Sequence, residues 1–306
     1  MIIILEGPDG AGKTVLATIL DQRLTRLEHV VATQHHGPYA GCQDPSLNYL
    51  ASLERQRYGR YRSGIKILDR CWLSEIPYGR ALRGGADRVG TASRRMLERV
   101  ALRLGAFVIL CRPSFETCQR NWAQRRAYEL AQDNETIKKI YDGYAPEALA
   151  SATSLPVVAY DYTGTRDALE PALAQIIALK DYAPPEAGVG RWHPDSTLLV
   201  GDRVSRYGFN DLPFVSFTRG GCSQWLAQKL EGWGVPESKL YWVNALGLDP
   251  EFLGHEGAPK RVVALGANAA RWCERAGIGF TRVAHPQAHK RFRFNEEYAD
   301  LKEALL

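Results

Sequence analysis

The sequence predicts an α/β fold, with a parallel sheet flanked by helices and a second, smaller α/β domain after it. Two observations lead to this prediction. Short apolar segments alternate with longer helical patterns along residues 1–165, which is typical of βαβ units. A second alternation begins near residue 197, and the chain of 306 residues is about twice as long as a typical domain of about 100 to 150 residues.

The individual elements follow from the same patterns. In the first part, strands are predicted at 2–5, 30–33, 65–68, 107–111 and 157–160, and helices at 13–27, 46–57, 93–104, 115–132, 135–149 and 167–179. In the second part, strands are predicted at 197–200, 240–244, 261–265 and 281–284, and helices at 223–231, at 268–276 and near the carboxyl terminus. Prolines and glycines at 182–190 break both patterns. The predicted domains are therefore 1–181 and 193–306, joined by a linker at 182–192.

Composition narrows the class of protein. A hydrophobic share of 45% and no apolar run near the roughly 20 residues that span a bilayer predict a cytoplasmic protein with no membrane partner. The amino terminus lacks the features of a signal peptide. Six scattered cysteines without metal-binding spacing are expected to be reduced and mostly buried. A net charge of +5 and arginine clusters at 55–62, 94–99 and 120–126 favour phosphate partners, although such clusters are also typical of solvated helix faces.

A phosphate-binding loop follows the first predicted strand. Its residues are Gly7, Pro8, Asp9, Gly10, Ala11, Gly12, Lys13 and Thr14, which fit the pattern G-x-x-x-x-G-K-[ST] between a strand and a helix. In such a P-loop, backbone N–H groups at the start of a helix surround nucleotide phosphates. Lys13 is predicted to reach the β- and γ-phosphates of ATP, and the Thr14 hydroxyl to bind Mg²⁺.

The first domain resembles the thymidylate kinase family in four segments. These are Glu6-Gly-Pro-Asp-Gly-Ala-Gly-Lys-Thr14, Leu68-Asp-Arg-Cys-Trp-Leu-Ser74 with Tyr78, Ile109-Leu-Cys-Arg-Pro-Ser-Phe-Glu116 with Arg120, Arg125 and Arg126, and Ile140-Tyr-Asp-Gly-Tyr144. The resemblance implies an ATP-dependent kinase and covers most of residues 1–165.

The same resemblance implies roles for individual residues. It places Asp9 near the sugar of an acceptor nucleotide, Asp69 near Mg²⁺ and the acceptor, and Arg70 on a phosphate. Arg125 or Arg126 is implied as the arginine of a lid over ATP, although either residue fits a solvent-facing helix position equally well. Phosphoryl transfer depends on positioning and on neutralising charge, which these residue types supply. Whether Asp9 or Asp69 is the general base stays open.

The segment before the Asp-Arg strand departs from free thymidylate kinases. Here it reads Arg55-Gln-Arg-Tyr-Gly-Arg-Tyr-Arg-Ser-Gly64, which is short and basic, with interleaved tyrosines. Basic residues beside aromatic ones suit a nucleic-acid backbone with stacked bases, although Tyr58 and Tyr61 equally suit packed positions.

The second domain resembles the uracil-DNA glycosylase superfamily. Four segments lie in the order expected for that superfamily: Val200-Gly-Asp-Arg-Val-Ser-Arg-Tyr-Gly-Phe-Asn-Asp-Leu-Pro-Phe-Val215, Leu240-Tyr-Trp-Val-Asn-Ala245, Val262-Val-Ala-Leu-Gly-Ala-Asn268 and Ala284-His-Pro-Gln287. The resemblance implies that Phe214 stacks on a flipped base, that Asn244 reads its polar edge, and that His285 belongs to a basic edge with His289, Lys290, Arg291 and Arg293. A packed Phe214 and a strand-capping Asn244 are the alternative.

Base excision is not expected from this domain. The segment Gly201-Asp-Arg-Val-Ser205 has bulky groups where a glycosylase of this superfamily needs small ones, and the cysteines that bind a cluster in some members are missing. Asp202 keeps a weak glycosylase interpretation open. The domain is therefore predicted to read DNA without cutting the base.

Pairing the two resemblances suggests a kinase whose acceptor lies inside DNA. The chain resembles the bacteriophage 5-hydroxymethyluracil DNA kinases, which implies transfer from ATP to the hydroxymethyl group of that base during thymine hypermodification. One alternative is a kinase for free dTMP or another pyrimidine deoxynucleotide, with an accessory domain. A second alternative is a DNA-binding repair-type ATPase.

Overall fold

The computed structural model describes most of the chain. The described residues are 1–26, 29, 31–37, 42–58, 64–124, 130–163, 188–202, 212–217, 221–245, 248–254, 257–288 and 297–306, with the backbone alone at 56–58. Contacts divide the chain into two compact units. The first unit consists of Met1–Gly90 and Leu104–Asp181, and the second of Thr91–Arg103 and Tyr182–Leu306.

The first unit is built on a parallel sheet. Its strands are β1 (Ile2–Glu6), β2 (Val31–His35), β3 (Ile65–Asp69), β4 (Ala106–Cys111) and β5 (Val157–Tyr160), in the order β2-β3-β1-β4-β5. The strands β1, β3 and β4 are buried along their whole length. Continuous apolar runs are what parallel strands covered on both faces require. The parallel sheet flanked by helices that the sequence predicts is therefore confirmed.

Helices follow most of these strands. They are α1 (Lys13–Arg26), α2 (Ser46–Tyr58), α3 (Glu75–Leu82), α4 (Gly90–Arg103), α5 (Phe115–Ala123), α6 (Asn134–Gly143) and α7 (Pro146–Ala152). One face of α1 packs its buried side chains, among them Leu16 and Leu20, into a core with Leu5, Ile67 and Ile109 of the sheet.

Two predicted helices are shorter in the structure. The helix predicted at 115–132 ends at Ala123, and the indole N–H of Trp122 donates to the Ala131 carbonyl at 3.1 Å. The helix predicted at 135–149 is two helices, because Pro146 starts α7 and disfavours helical geometry in the residue before it. The helix predicted at 167–179 lies outside the described residues.

The second unit contains a mixed sheet. Its elements are β6 (Val189–Gly190), β7 (Thr197–Gly201), α8 (Cys222–Gly232), β8 (Leu240–Asn244), β9 (Arg261–Leu265), α9 (Ala267–Arg275), β10 (Thr281–Val283) and α10 (Ala299–Leu305). The strand order is β10-β9-β7-β8-β6, in which β6 is antiparallel to β8 and the other described pairs are parallel. The short strand β6 falls within the stretch predicted as a linker. The carboxyl ends of β7, β8, β9 and β10 lie at one edge, where ligand sites form in α/β sheets.

Residues 91–103 of α4 belong to the second unit by their contacts, although they precede β4 in the chain. Arg95 and Arg99, which fall in an arginine cluster predicted to favour phosphate, are buried against Glu237 instead. Glu237 is completely buried, so its charge requires these partners. Across the described residues, no helix is both long and apolar enough to cross a membrane.

Candidate active site

The P-loop connects β1 to α1 with a backbone that its glycines permit. Gly7 and Gly10 have φ angles of +148° and +74°, which favour glycine. A Cβ at Gly7 would lie 2.1 Å from the Cys111 carbonyl oxygen, and one at Gly10 would lie 2.2 Å from that of Cys118. The loop therefore packs directly on β4 and α5, and its shape depends on both glycines.

Lys13 lies under this loop. Its ammonium donates to the carbonyl oxygens of Gly7 at 2.9 Å and Pro8 at 2.7 Å. Burial, followed by the nearby Arg70, lowers the pKa of Lys13. These two bonds hold the ammonium of Lys13 in a fixed position against the P-loop backbone.

Asp69 ends β3 beside the start of α1. Its Oδ2 accepts from the Thr14 hydroxyl at 3.1 Å and lies 2.8 Å from Nδ1 of His35. Its Oδ1 is buried and has no hydrogen-bond partner among the described residues. A buried carboxylate oxygen without a partner is costly, which indicates a position that a ligand satisfies.

The carboxylate of Asp9, a P-loop residue that lines the same cavity as Lys13, is bonded in a similar way. Its Oδ1 accepts from Arg70 at 2.5 Å and from the Tyr78 hydroxyl at 2.5 Å. Its Oδ2 is buried and has no partner among the described residues. Arg70 also donates to the Gly7 carbonyl at 3.1 Å and adopts a left-handed backbone with φ of +73°. Such strain in a non-glycine residue is typical of functional sites.

A buried hydrogen-bond network around Glu6 reaches Arg70 through the Tyr144 hydroxyl, which accepts from the Arg70 guanidinium at 3.4 Å. Glu6 is completely buried and accepts from the Cys71 N–H at 2.8 Å, the Ser74 hydroxyl at 2.7 Å and the Tyr144 hydroxyl at 2.9 Å. Burial and the adjacent Glu6 raise the pKa of Tyr144 well above its usual value. The network ties β1, the start of α3 and the end of α6 together around the site.

These residues border a cavity of about 840 Å³ in the first unit. It is lined by Asp9, Gly10, Ala11, Gly12, Lys13, Thr14, Val15, Leu16, Ile19, Arg23, Asp69, Arg70, Asn121, Gln124, Tyr160 and Tyr162. Asn121 donates to the Gly10 carbonyl at 2.9 Å and to the Tyr162 hydroxyl at 2.7 Å. The cavity therefore joins the P-loop to an aromatic side chain beyond the end of β5.

The structure brings together most of the predicted site of the first unit. The same cavity is lined by Lys13, Asp9, Asp69 and Arg70. Arg125 and Arg126 lie outside the described residues, as do the side chains of Tyr58 and Tyr61.

In the second unit, the structure places Phe214 and Asn244 beside each other. A Cβ at Gly201 would lie 2.5 Å from Cε2 of Phe214 and 3.0 Å from Oδ1 of Asn244. Asn244 is buried, with 6% of the residue exposed. An aromatic ring and a side-chain amide therefore meet at the carboxyl ends of β7 and β8.

Arg99 of α4 fixes the backbone of Phe214. Its guanidinium donates to the Phe214 carbonyl at 2.8 Å, forms two bonds to Glu237, and lies 4.0 Å from the ring centre of Trp242. Phe214 has a left-handed φ of +56°, and its ring centre is 5.0 Å from that of Trp242. The buried ion pair thus holds a strained aromatic residue in place.

His285 lies further along the same edge. A Cβ at Gly266, after β9, would lie 2.9 Å from Cβ of His285. Burial lowers the pKa of His285, while the nearby Asp202 acts in the opposite direction. Asp202 accepts from the Asn268 amide at 2.7 Å. No direct contact joins His285 to Phe214 or Asn244 among the described contacts.

Sequence reasoning missed several residues of the first site. His35, Asn121 and Tyr162 carry no motif, and only their contacts in the fold reveal them. Tyr78 and Tyr144 occur in the segments that resemble thymidylate kinases, but their pairing with Asp9 and Glu6 depends on α3 and α6.

Comparisons with known proteins return only distant structures. No protein-family model and no curated protein matches the sequence. Three solved structures of deoxyadenosine kinase from M. mycoides each match along their whole length. The structure with products dCMP and a flexible dCDP bound is 15% identical over 59% of this chain, with a TM-score of 0.39. The structure with dCTP bound is 18% identical over 58% of this chain, with a TM-score of 0.37. The structure with dATP bound is 15% identical over 58% of this chain, with a TM-score of 0.39. Likeness at this level carries no argument about activity or substrate.

Proposed function

We propose that the first unit transfers the γ-phosphoryl group of ATP to a hydroxyl group. The observation that carries this proposal is the arrangement around Lys13. Two buried carboxylates, Asp9 and Asp69, lie in the same cavity as the P-loop, and each leaves one oxygen without a partner among the described residues. Phosphoryl transfer requires a metal-side carboxylate and a group that accepts the proton of the acceptor.

ATP fits the cavity at the P-loop. The loop amides and Lys13 bind the phosphates, because both present positive charge at the start of α1. Tyr162 and Asn121 then lie within reach of the nucleoside, where the tyrosine offers a ring face for the base. Tyr162 is 37% exposed, so the ring is accessible to a ligand.

Mg²⁺ fits the residues present at Thr14 and Asp69. The Thr14 hydroxyl and the free Oδ1 of Asp69 are oxygen ligands of the kind Mg²⁺ prefers, and phosphates and water complete such a site. When bound, the ion neutralises charge that develops on the phosphates during transfer. The protein's part is to hold Asp69 at the carboxyl end of β3, beside Thr14.

Asp9 is the proposed general base. Its Oδ2 takes the proton of the acceptor hydroxyl while the oxygen of that hydroxyl bonds to the γ-phosphorus and the bond from phosphorus to the ADP oxygen breaks. Arg70 and Tyr78 hold Oδ1 and so fix the carboxylate in orientation.

The charge balance near Asp9 favours a neutral acceptor. Arg70 donates to Asp9 and to the Gly7 carbonyl, and its guanidinium lies 4.8 Å from the ring centre of Tyr78. Because its charge is already paired, it is a weak partner for the phosphate dianion of dTMP. This pairing favours an alcohol over a nucleoside monophosphate as the acceptor.

We propose 5-hydroxymethyluracil within DNA as that acceptor. Its hydroxymethyl group is a neutral alcohol, and the second unit offers Phe214 for stacking and the amide of Asn244 for the polar edge of a pyrimidine. The sequence resemblances to thymidylate kinases, to uracil-DNA glycosylases and to phage 5-hydroxymethyluracil DNA kinases support the same acceptor. A free dTMP kinase is the second candidate, favoured by the thymidylate-kinase segments alone.

The acceptor is tested with ATP labelled in the γ-phosphate. The protein is incubated with Mg²⁺ and, separately, with DNA containing 5-hydroxymethyluracil, unmodified DNA, and free dTMP. The proposal predicts label in the modified DNA alone. Label in dTMP alone would establish the second candidate, and DNA-stimulated release of free phosphate without transfer would establish an ATPase.

The P-loop is tested in the same assay with Lys13→Ala. Transfer should fall below detection, because loss of the buried ammonium removes the main charge that binds the β- and γ-phosphates. Full activity in this variant would refute the P-loop as the ATP site. Lys139→Ala, an exposed change on α6, is the matched control and should retain full activity.

A further inference from the structure

His35 is placed beside Asp69 by the register of the sheet. The strands β2 and β3 are parallel, and their pairing sets His35 opposite Asp69. The N–H of the next residue, His36, donates to the Asp69 carbonyl at 3.0 Å. The backbone at the end of β2 is therefore fixed against the residue that carries the candidate metal-binding carboxylate.

The imidazole of His35 contacts only one oxygen of that carboxylate. Its Nδ1 lies 2.8 Å from Asp69 Oδ2, the same oxygen that accepts from the Thr14 hydroxyl at 3.1 Å. Two donors at Oδ2 leave Oδ1 as the free oxygen, and they define the rotation of the carboxylate. The His35 side chain is 58% exposed, whereas that of Asp69 is 9% exposed.

His36 has a different environment. It is buried, its ring centre is 5.2 Å from that of Tyr49, and burial lowers its pKa to about 4. Packing against α2 accounts for the buried position of His36. It does not account for His35, whose exposed imidazole contacts Asp69, and this contact indicates a role for His35 at the P-loop site.

We propose that His35 is a positioning residue for Mg²⁺·ATP, which holds Asp69 so that Oδ1 faces the metal. The inference rests on the proposed function, because it assumes that ATP and Mg²⁺ bind at the P-loop. Outer partners of metal-binding carboxylates orient them, and losing such a partner typically weakens metal affinity by about 10- to 100-fold.

The test measures binding instead of turnover. The dissociation constant of a fluorescent ribose-labelled ATP is determined with Mg²⁺ and again with EDTA, for the wild-type protein and three variants. His35→Leu removes the donor, His35→Asn retains an N–H close to the position of Nδ1, and His35→Gln places its amide near Nε2 instead. His193→Leu in the second unit is the matched histidine control.

The expected pattern is specific to the Nδ1 contact. His35→Leu and His35→Gln should weaken binding with Mg²⁺ by about tenfold and leave binding in EDTA unchanged. His35→Asn should bind with Mg²⁺ nearly as the wild type does, and His193→Leu should match the wild type in both conditions.

The possible negative results distinguish a wrong role for His35 from a wrong assignment of the ATP site. Equal weakening with Mg²⁺ and with EDTA, no weakening in His35→Leu, or rescue by Gln but not by Asn would each overturn the role of His35 alone. If the wild-type protein binds no labelled ATP under either condition, the proposed function fails, and this inference fails with it. A Mg²⁺ dependence lost in Lys13→Ala but kept in His35→Leu leaves the ATP site standing without His35.

Discussion

Arg70 and Asp9 form a contact of 2.5 Å that pairs one carboxylate oxygen of Asp9 and leaves the other free among the described residues. Arg70 is itself held by the Gly7 carbonyl and the Tyr144 hydroxyl. Burial alone would lower the pKa of Arg70, but the neighbouring Tyr78, Tyr144 and Asp9 raise this pKa well above its usual value. The pair is therefore a fixed, charged element of the site, and it orients the proposed base.

Replacing Asp9 by Asn should separate catalysis from binding. The amide retains the shape of the carboxylate but accepts no proton, so the turnover rate should fall by about 10²- to 10⁴-fold. The dissociation constant of labelled ATP should stay within about twofold, since the loop amides and Lys13 remain. Steady-state kinetics and the fluorescence titration measure both quantities.

The control for this change is Asp142→Asn, an exposed carboxylate on α6 that pairs with Lys138. Its turnover should equal that of the wild type. Wild-type turnover in Asp9→Asn would show that Asp9 is not the base and would move that role to Asp69.

Replacing Arg99 by Met should destabilise the protein strongly. The change leaves Glu237 completely buried with Arg95 as its remaining cationic partner, and breaking a buried ion pair typically costs about 3 to 5 kcal/mol in free energy of unfolding. Urea unfolding measures this loss. Arg275→Met, an exposed change at the end of α9, should cost less than about 0.5 kcal/mol, and equal effects of both changes would contradict the buried cluster.

Glu237 also makes a pH-dependent contribution to stability. Burial alone would raise its pKa, but Arg99 and Arg95 hold it below its ordinary value of 4.5. A carboxyl group with a depressed folded pKa contributes stability above its unfolded pKa, and this contribution is lost as the pH falls through the folded value. The wild type should therefore lose more free energy of unfolding below pH 4.5 than Glu237→Gln does.

Urea unfolding at a series of pH values measures this difference. The comparison uses the slope of stability against pH, because Glu237→Gln is itself destabilised by the arginines that remain. Identical slopes in the acidic range would show that Glu237 is not the charged partner of Arg99.

Substitutions of Phe214 and Asn244 in the second unit should weaken binding of DNA and leave binding of ATP unchanged. Phe214→Ala should weaken binding to DNA containing 5-hydroxymethyluracil by about tenfold, since stacking on an aromatic ring is worth about 1 to 3 kcal/mol per base. Asn244→Ala should lower the preference for the modified base. Fluorescence anisotropy with labelled DNA measures both effects, and ATP titration should show no change.

A phenylalanine elsewhere in the second unit provides the control. Phe252 is 36% exposed and lies in the short helix Pro250–Gly254, whereas the side chains nearest a Cβ at Gly201 are those of Phe214 and Asn244, so Phe252→Ala should bind DNA as the wild type does. Undiminished binding by both Phe214→Ala and Asn244→Ala would remove the second unit from base recognition.

Local sequence patterns predicted the parts of the fold and site that depend on neighbours in the chain. The segment from β1 through the P-loop to α1 is continuous, and its glycines, Lys13 and Thr14 serve positions set by that one turn. Asp69 was predictable because it ends an apolar strand, and parallel strands bring such ends to one edge.

Contacts between distant residues were not predictable in this way. Arg95 and Arg99 read as a charged cluster typical of a solvated helix face, yet Glu237, more than 100 residues away in the chain, buries both. The chain position of α4 gives no indication that its residues pack in the second unit. His35 likewise carries no motif, and only strand register sets it against Asp69.

The most direct measurement is the chemical identity of the product. DNA containing 5-hydroxymethyluracil is incubated with the protein, ATP and Mg²⁺, digested with a nuclease to 5′-nucleotides without a phosphatase, and analysed by mass spectrometry. The proposed function predicts a 5-hydroxymethyluracil nucleotide heavier by one phosphoryl group, with the added phosphate on the hydroxymethyl oxygen, and no such product with Lys13→Ala. Unaltered 5-hydroxymethyldeoxyuridine 5′-monophosphate, under conditions in which the protein phosphorylates free dTMP, would contradict it.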